Sequence, residues 1–316
     1  MTTTTPDIVE PPAPHQPLHG APARKAVRKA FSHPIASAVI TLLAIFWTIP
    51  TFGLLINSFR SKNDAASSGW WNFFTHPSFT LGNYNHVLFA EGGTVLPLVN
   101  SLAITIPATI IPIFIASMAA YVLAWVRFKG SDAIFFIIFA LQIVPLQMAL
   151  IPLQRLYNFG AHIGSVQIFP SKSVTGLAEI WVSHTMFSLP LAIFLLHNFI
   201  SQLPESMIEA ARVDGATHLQ IYRRIVLPLA GPAIASFGIF QFIWVWNDLL
   251  IAKTFGGTDA SQQPITARGQ SLVGNFASHP EYLAPAGLIT IVVPLIVFLV
   301  LQRFFVRGLL AGSVKG

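Results

Sequence analysis

Six ionic side chains fall within twenty residues of an otherwise oily chain: Glu205, Glu209, Arg212, Asp214, Arg223 and Arg224. Chemistry is not what they are placed for. The chain has no cysteine, which excludes disulfides, thiolate metal sites and cysteine catalysis. His184 and His197 stand thirteen residues apart, no nearby carboxylate completes a ligand set, and H-E-x-x-H is absent. No nucleophile–base pair falls within the apolar segments, and no G-x-x-x-x-G-K-[ST] phosphate loop occurs. The sequence therefore predicts no catalytic residue, no metal site and no enzyme activity of its own. The charged stretch reads as a surface for gripping a partner in water.

The elements that carry it are apolar. Of 316 residues, 53% are hydrophobic and only 9% charged, against about 25% charge in soluble domains. Mean hydropathy is +0.65. So few ionic groups cannot cover a water-facing surface, so the solvent is a bilayer. Six apolar runs approach the roughly 20 residues a span needs: Ile35–Ile56, Val95–Trp125, Ala133–Leu153, Leu177–Phe199, Ala230–Ile251 and Leu283–Phe305. They are continuous rather than alternating, hence helices and not barrel strands. The expected fold is all-α, a polytopic membrane protein of six transmembrane helices, with residues 33–305 as the membrane domain. Residues 1–32, rich in Thr, Pro and His and then basic, read as a disordered cytoplasmic tail. The first apolar run is too long for a cleaved signal. With the N-terminus inside, twelve of the 18 Lys and Arg lie in inner segments and six in outer ones. That excess supports both termini in the cytoplasm and removes the need to explain a pI near 9.8 by nucleic acid. Trp70, Trp71, Phe73 and Phe74 in the first outer loop fit the membrane interface or an outside partner.

Each of the six charges would cost roughly 3 kcal/mol at mid-membrane, on the order of 18 kcal/mol together, so the loop at about 201–229 stays in water. Its punctuation predicts two short helices. Pro204 suits a first helical position, Ile208 to Val213 are compatible with helix, and Gly215 can end one in the left-handed conformation. Thr217 and Gln220 fit a capping box. Leu219, Tyr222 and Ile225 or Val226 form an apolar stripe. Ala210, Ala211, Gly215 and Ala216 are small enough for another backbone to approach, and Glu209 and Arg212 are spaced to pair. Spacing alone leaves two readings open, an ordinary hairpin at the membrane surface or a docking element.

The run from Glu209 to Ala216 (Glu-Ala-Ala-Arg-Val-Asp-Gly-Ala), followed by Ile225-Val-Leu-Pro228 and Pro232, resembles the EAA motif of ABC-importer permeases. Leu195 to Pro204, Trp244-Val-Trp-Asn-Asp248 and the tail from Gln302 to Gly316 resemble the carbohydrate-uptake branch, of maltose and alpha-glucoside type. The likeness covers nearly the whole chain after the first 30 or so residues. It implies the type I ABC-importer permease fold in a bacterial cytoplasmic (inner) membrane. It implies an ATPase-docking set of Glu209, Ala210, Ala211, Asp214, Gly215, Ala216, Ile225, Leu227 and Pro228, with Glu209 pairing with a basic group of the ATPase and Asp214 helping to hold the turn or capping locally. It implies a cytoplasmic C-terminal tail, 306–316, reaching into the ATPase dimer through Gly312, Ser313, Lys315 and Gly316. The implied partners are a second permease in a heterodimer, two ATP-binding subunits that bind ATP and Mg, and an extracytoplasmic sugar-binding protein. This chain itself is expected to bind no cofactor. Gln241, Trp244 and Asp248, at i, i+3 and i+7, share a helical face and with Asn247 mark a substrate path, or pack against neighbouring helices. The same likeness implies an alpha-linked di- or oligosaccharide as cargo. A secondary transporter, or a permease for glycerol-phosphate or another small polar solute, is the alternative.

Overall fold

The computed structural model describes residues 34–90, 92–126, 128–163, 165–169, 176–256, 262–275 and 279–313, the last eleven of these by backbone alone. It divides into two compact units, Met1–Pro50 and Thr51–Gly316, with the division inside the first helix.

Long helices form where apolar residues run without charge. They are α1 (Pro34–Ser58), α4 (Val95–Tyr121, continued by a π turn Val122–Val126), α7 (Leu177–Ile200) and α14 (Pro280–Ser313). These four are long and apolar enough to cross a membrane, and up to six spans result if two bent pairs each count as one. The bent pairs are where the expected third and fifth spans lie. The third is two helices, α5 (Ser131–Leu141) and α6 (Leu146–Phe159), meeting at 97°. Pro145 lies at that bend with φ −61° and ψ 129°. Proline has no N–H to continue the ladder and disfavours helical backbone in the residue before it. The expected fifth span stops early. Its helix α11 runs Gly231–Asn247, and after a break at Asp248 a short α12 (Leu250–Phe255) follows. The Asp248 carboxylate accepts from the N–H groups of Ile251 and Ala252 at 2.9 and 3.1 Å, so it caps α12 instead of continuing α11.

The outer connections are more structured than loops. The first holds α2 (Lys62–Ser67), a 3-10 turn at Trp70–Phe74 and α3 (Gly82–Phe89). Arg60, counted in the sequence as a loop charge, is 2% exposed and donates to the carbonyl of Ser68 at 2.9 Å. Trp70 meets Phe52 edge-on rather than facing outward. The other long connection holds α13 (Ile265–Asn275). A small antiparallel hairpin, β1 (Ala161–Ile163) with β2 (Val166–Phe169), is the one departure from helix among the described residues.

Within the second unit α4 and α7 form the heaviest helix pairing, and α11 packs on α4, α7 and α14. Small side chains make these approaches close: Ala108, Ala116, Ala120 and Ala192 are fully buried. In lipid the gain comes from van der Waals fit and interhelical hydrogen bonds rather than from hydrophobic burial. Trp181 Nε1 donates to Ala103 O at 3.0 Å, and Trp246 Nε1 to Thr290 O at 3.1 Å. Ile291, Leu295, Ile296, Leu299 and Val300 of α14 stay exposed, a face that suits a hydrocarbon solvent and not water.

Candidate coupling surface and substrate path

The charged segment folds as α8 (Glu205–Val213), then α9 (His218–Ile221), a π turn Tyr222–Val226 and a last turn α10 (Leu227–Leu229). Pro204 sits one position before the first helical residue, as N-cap. Ile208 and Ala211, three apart on α8, are buried in a core with Ile200, Ile221, Tyr222 and Val226. Ala211 is therefore filled by this chain's own packing, and the docking role expected of it is corrected. Leu219 is also corrected: it is 57% exposed, and Ile221 takes its place in the apolar stripe.

The corner between α8 and α9 is held by backbone. Gly215 N–H donates to Arg212 O at 3.0 Å and Ala216 N–H to Ala211 O at 2.9 Å. This is the Schellman pairing, which needs a left-handed residue after the cap, and Gly215 has φ +78°. The turn thus does not need Asp214, whose carboxylate makes no hydrogen bond or ion pair among the described residues. The Thr217–Gln220 capping box forms as expected, with Thr217 N–H to Gln220 Oε1 at 2.8 Å and Gln220 N–H to Thr217 Oγ1 at 3.4 Å.

What remains outside is a continuous small-residue surface. Glu209, Ala210, Asp214, Gly215, Leu227 and Pro228 are exposed, and Ala216 and Ile225 half-buried. Nothing lies within 4 Å of where a Gly215 side chain would start. Beside it Asp214, Ala216, Gln220, Ile221, Arg224 and Ile225 line a recess of about 290 Å³.

The element is lashed to the ends of the long helices. Arg212 does not pair with Glu209; its Nη2 donates to the carbonyl of Trp125 at 2.9 Å. Trp125 Nε1 in turn donates to Ile200 O at the end of α7, at 3.0 Å. The Tyr222 hydroxyl is 2.8 Å from Ser117 Oγ, and the Tyr121 hydroxyl 3.1 Å from His218 Nδ1. Sequence reading missed Ser117, Tyr121, Trp125 and His218. The available signal was three polar-tipped side chains near the inner end of one apolar run, since buried tyrosine and tryptophan normally find a partner for their polar atom.

The residues expected on the substrate path separate. Gln241 is 1% exposed and its Nε2 donates to Ala108 O at 3.1 Å, so it ties α11 to α4 and presents no free face. Trp244 is half-buried, Asn247 exposed, and Asp248 lies beyond the end of the helix. Trp246 packs inside, stacked on Phe242. Glu179, read as interfacial, is buried in the first turn of α7. Of the expected tail contacts, Gly312 and Ser313 end α14 as helix, where a threading segment was anticipated, and Lys315 and Gly316 lie outside the described residues.

A family model described as "Binding-protein-dependent transport system inner membrane component" matches residues 108–310. The chain belongs to this family. The match takes in both the coupling surface and α11. Family members are membrane permease subunits and not the catalytic ATPase. The chain is 46% identical over 287 residues to the "Osmoprotective compounds uptake permease protein GgtD" of Synechocystis sp., covering 89% of this chain and 92% of that protein. It is 38% identical to the "Alpha-glucoside transport system permease protein AglG" of Rhizobium meliloti, covering 88% and 96%. Among solved structures, a bacterial ABC transporter involved in the import of the acidic polysaccharide alginate shares the fold, with TM-score 0.60 and 16% identity over 90% of this chain and 98% of that one.

Proposed function

We propose that this chain forms half of the pore of an ATP-driven sugar importer and couples to a cytosolic ATPase through the segment Glu205–Leu229. One observation carries the reading: a Schellman-capped corner puts Gly215 on an open, small-residue surface whose far side is tied to the ends of α4 and α7. A protein that docks on that surface acts on both long helices, as coupling between remote sites requires. Closure of an ATP- and Mg-bound ATPase dimer would push the corner and bias the pore between outward- and inward-facing states. The partners are a second permease, two ATP-binding subunits and an extracytoplasmic binding protein that delivers the sugar. The charge distribution supports both termini inside. The tail beyond α14 is proposed to reach the ATPase, and Trp244, Asn247 and Asp248 to border the passage.

The cargo is proposed to be an alpha-linked di- or oligosaccharide, a reading supported by the alpha-glucoside permease relative. The osmoprotectant permease relative favours a second reading, a small polar osmoprotective solute. The cognate binding protein separates them. Thermal shift with alpha-glucosides and not with osmoprotectants is expected, and the reverse pattern would replace the first reading by the second. Uptake in vesicles holding the permease without any ATPase would overturn the importer reading.

A further inference from the structure

His184 lies mid-way along α7 and is 1% exposed, yet neither of its ring nitrogens has a hydrogen-bond partner. Its Nε2 is 3.7 Å from Asp248 Oδ2, too far for a direct hydrogen bond. Thr105, on the facing side of α4, is equally buried, and its hydroxyl is also without a partner. These three side chains border one small cavity of about 10 Å³, with Ser101, Ile104, Val245, Trp246, Ala252 and Pro264. Buried polar atoms in native proteins are almost always satisfied, by protein or by ordered water. A polar cavity offering roughly 10–15 Å³ to a water-sized sphere holds one water, provided it supplies two to four polar partners. Here the partners are His184 Nε2, Asp248 Oδ2 and Thr105 Oγ1.

The position gives such a water a mechanical role. The same Asp248 oxygen caps α12, and the His184 ring meets Trp244 edge-on, centroids 5.5 Å apart and planes at 88°. One imidazole therefore touches both ends of the stretch Trp244–Asp248, directly at Trp244 and across the cavity at Asp248. We propose that the cavity is a binding site for a single ordered water joining His184, Asp248 and Thr105, and that His184 acts through it as a positioning residue for Trp244–Asp248. In this arrangement Nε2–H donates to the water, and the water donates to Asp248 Oδ2 and to Thr105 Oγ1. The break between α11 and α12 is then held to α4 and α7 while Trp244 keeps one orientation. The positioning role rests on the proposal that Trp244 borders the sugar's passage; the water site does not.

Two measurements on the complete reconstituted importer test this. A high-resolution map should show one water within about 3.2 Å of His184 Nε2 and Asp248 Oδ2; a dry cavity overturns the site. For the positioning role, His184→Phe keeps a ring of similar size and removes both nitrogens, while His184→Gln restores a polar tip. The KM for sugar uptake should rise by about fivefold or more in His184→Phe, the scale of one net hydrogen bond, and return to within about twofold in His184→Gln. An unchanged KM in His184→Phe overturns the positioning role, and a loss of assembled complex in both variants does the same by making His184 purely structural. Trp244→Ala is the control for the underlying reading. If its KM is unchanged, Trp244 is not on the path. If its KM rises while that of His184→Phe does not, the path stands and the positioning role falls.

Discussion

The guanidinium of Arg212 donates to the carbonyl oxygen of Trp125 at 2.9 Å, across 87 residues of sequence. That carbonyl ends the π turn continuing α4, where unsatisfied carbonyls and the helix dipole both favour a cation. Arg212→Ala should cost about 1.5–3 kcal/mol, the range for a hydrogen bond to a charged group. The expected outcome is a complex that still inserts but couples ATP hydrolysis to uptake poorly. Uptake per ATP in proteoliposomes measures it, and wild-type coupling in the variant would show that this tie transmits nothing.

Gly215 separates folding from docking. Its positive φ costs a substituted residue roughly 1–2 kcal/mol, but an added Cβ meets nothing in this chain. Gly215→Ala should therefore fold and insert with a modest loss of stability, whereas Gly215→Asp should abolish ATPase capture. Co-purification of the ATPase subunit reads both. Full capture by Gly215→Asp would move the docking surface elsewhere.

The Tyr222–Ser117 contact joins the coupling segment to α4 inside the apolar core. Tyr222→Phe and Ser117→Ala should each destabilise by about 0.6–1.7 kcal/mol, the span measured for interhelical hydrogen bonds in membranes. The double variant should cost little more than either single one. Denaturation in mixed micelles checks it, and strictly additive losses would mean that the two hydroxyls do not interact.

On the outer side, hydrogen bonds from Ser78 and Ser61 hold the Asp64 carboxyl below its ordinary 3.8. A depressed carboxylate adds stability that is full above 3.8 and is lost as pH falls through the lower folded value. The segment 57–94 should become protease-sensitive on acidification below pH 3.8, and Asp64→Asn should weaken that dependence. Identical pH profiles for variant and wild type would remove Asp64 from the account.

Most of the fold could be read because a bilayer imposes one rule, that backbone polar groups satisfy themselves within a helix. Continuous apolar runs therefore gave α1, α4 and α7 to within a residue or two. The corner at Gly215 and the capping box at Thr217 were legible because each rests on a local backbone need that few residue types meet. What failed to show was set by partners distant in sequence. Leu219 and Ile221 are both apolar, and only the packing of α9 against α7 decides which is buried. Gln241 looked like a sugar ligand because its spacing shares a face with Trp244; its real partner is a carbonyl 133 residues away. Asp248 reads as a span residue until the two N–H groups it caps are known.

The π turn at Tyr222–Val226 carries one residue more than an α-helical turn would hold. Removing any one of those five residues would restore the ordinary ladder and rotate everything that follows by about 100°. Leu227 and Pro228 would swing off the docking face, and α11 would turn its buried Gln241 toward another neighbour. Side chains in this stretch can be exchanged for others of like size, but its length is fixed. In a population of natural variants the scar of selection here should be read in gaps: substitutions accumulating, single-residue deletions missing.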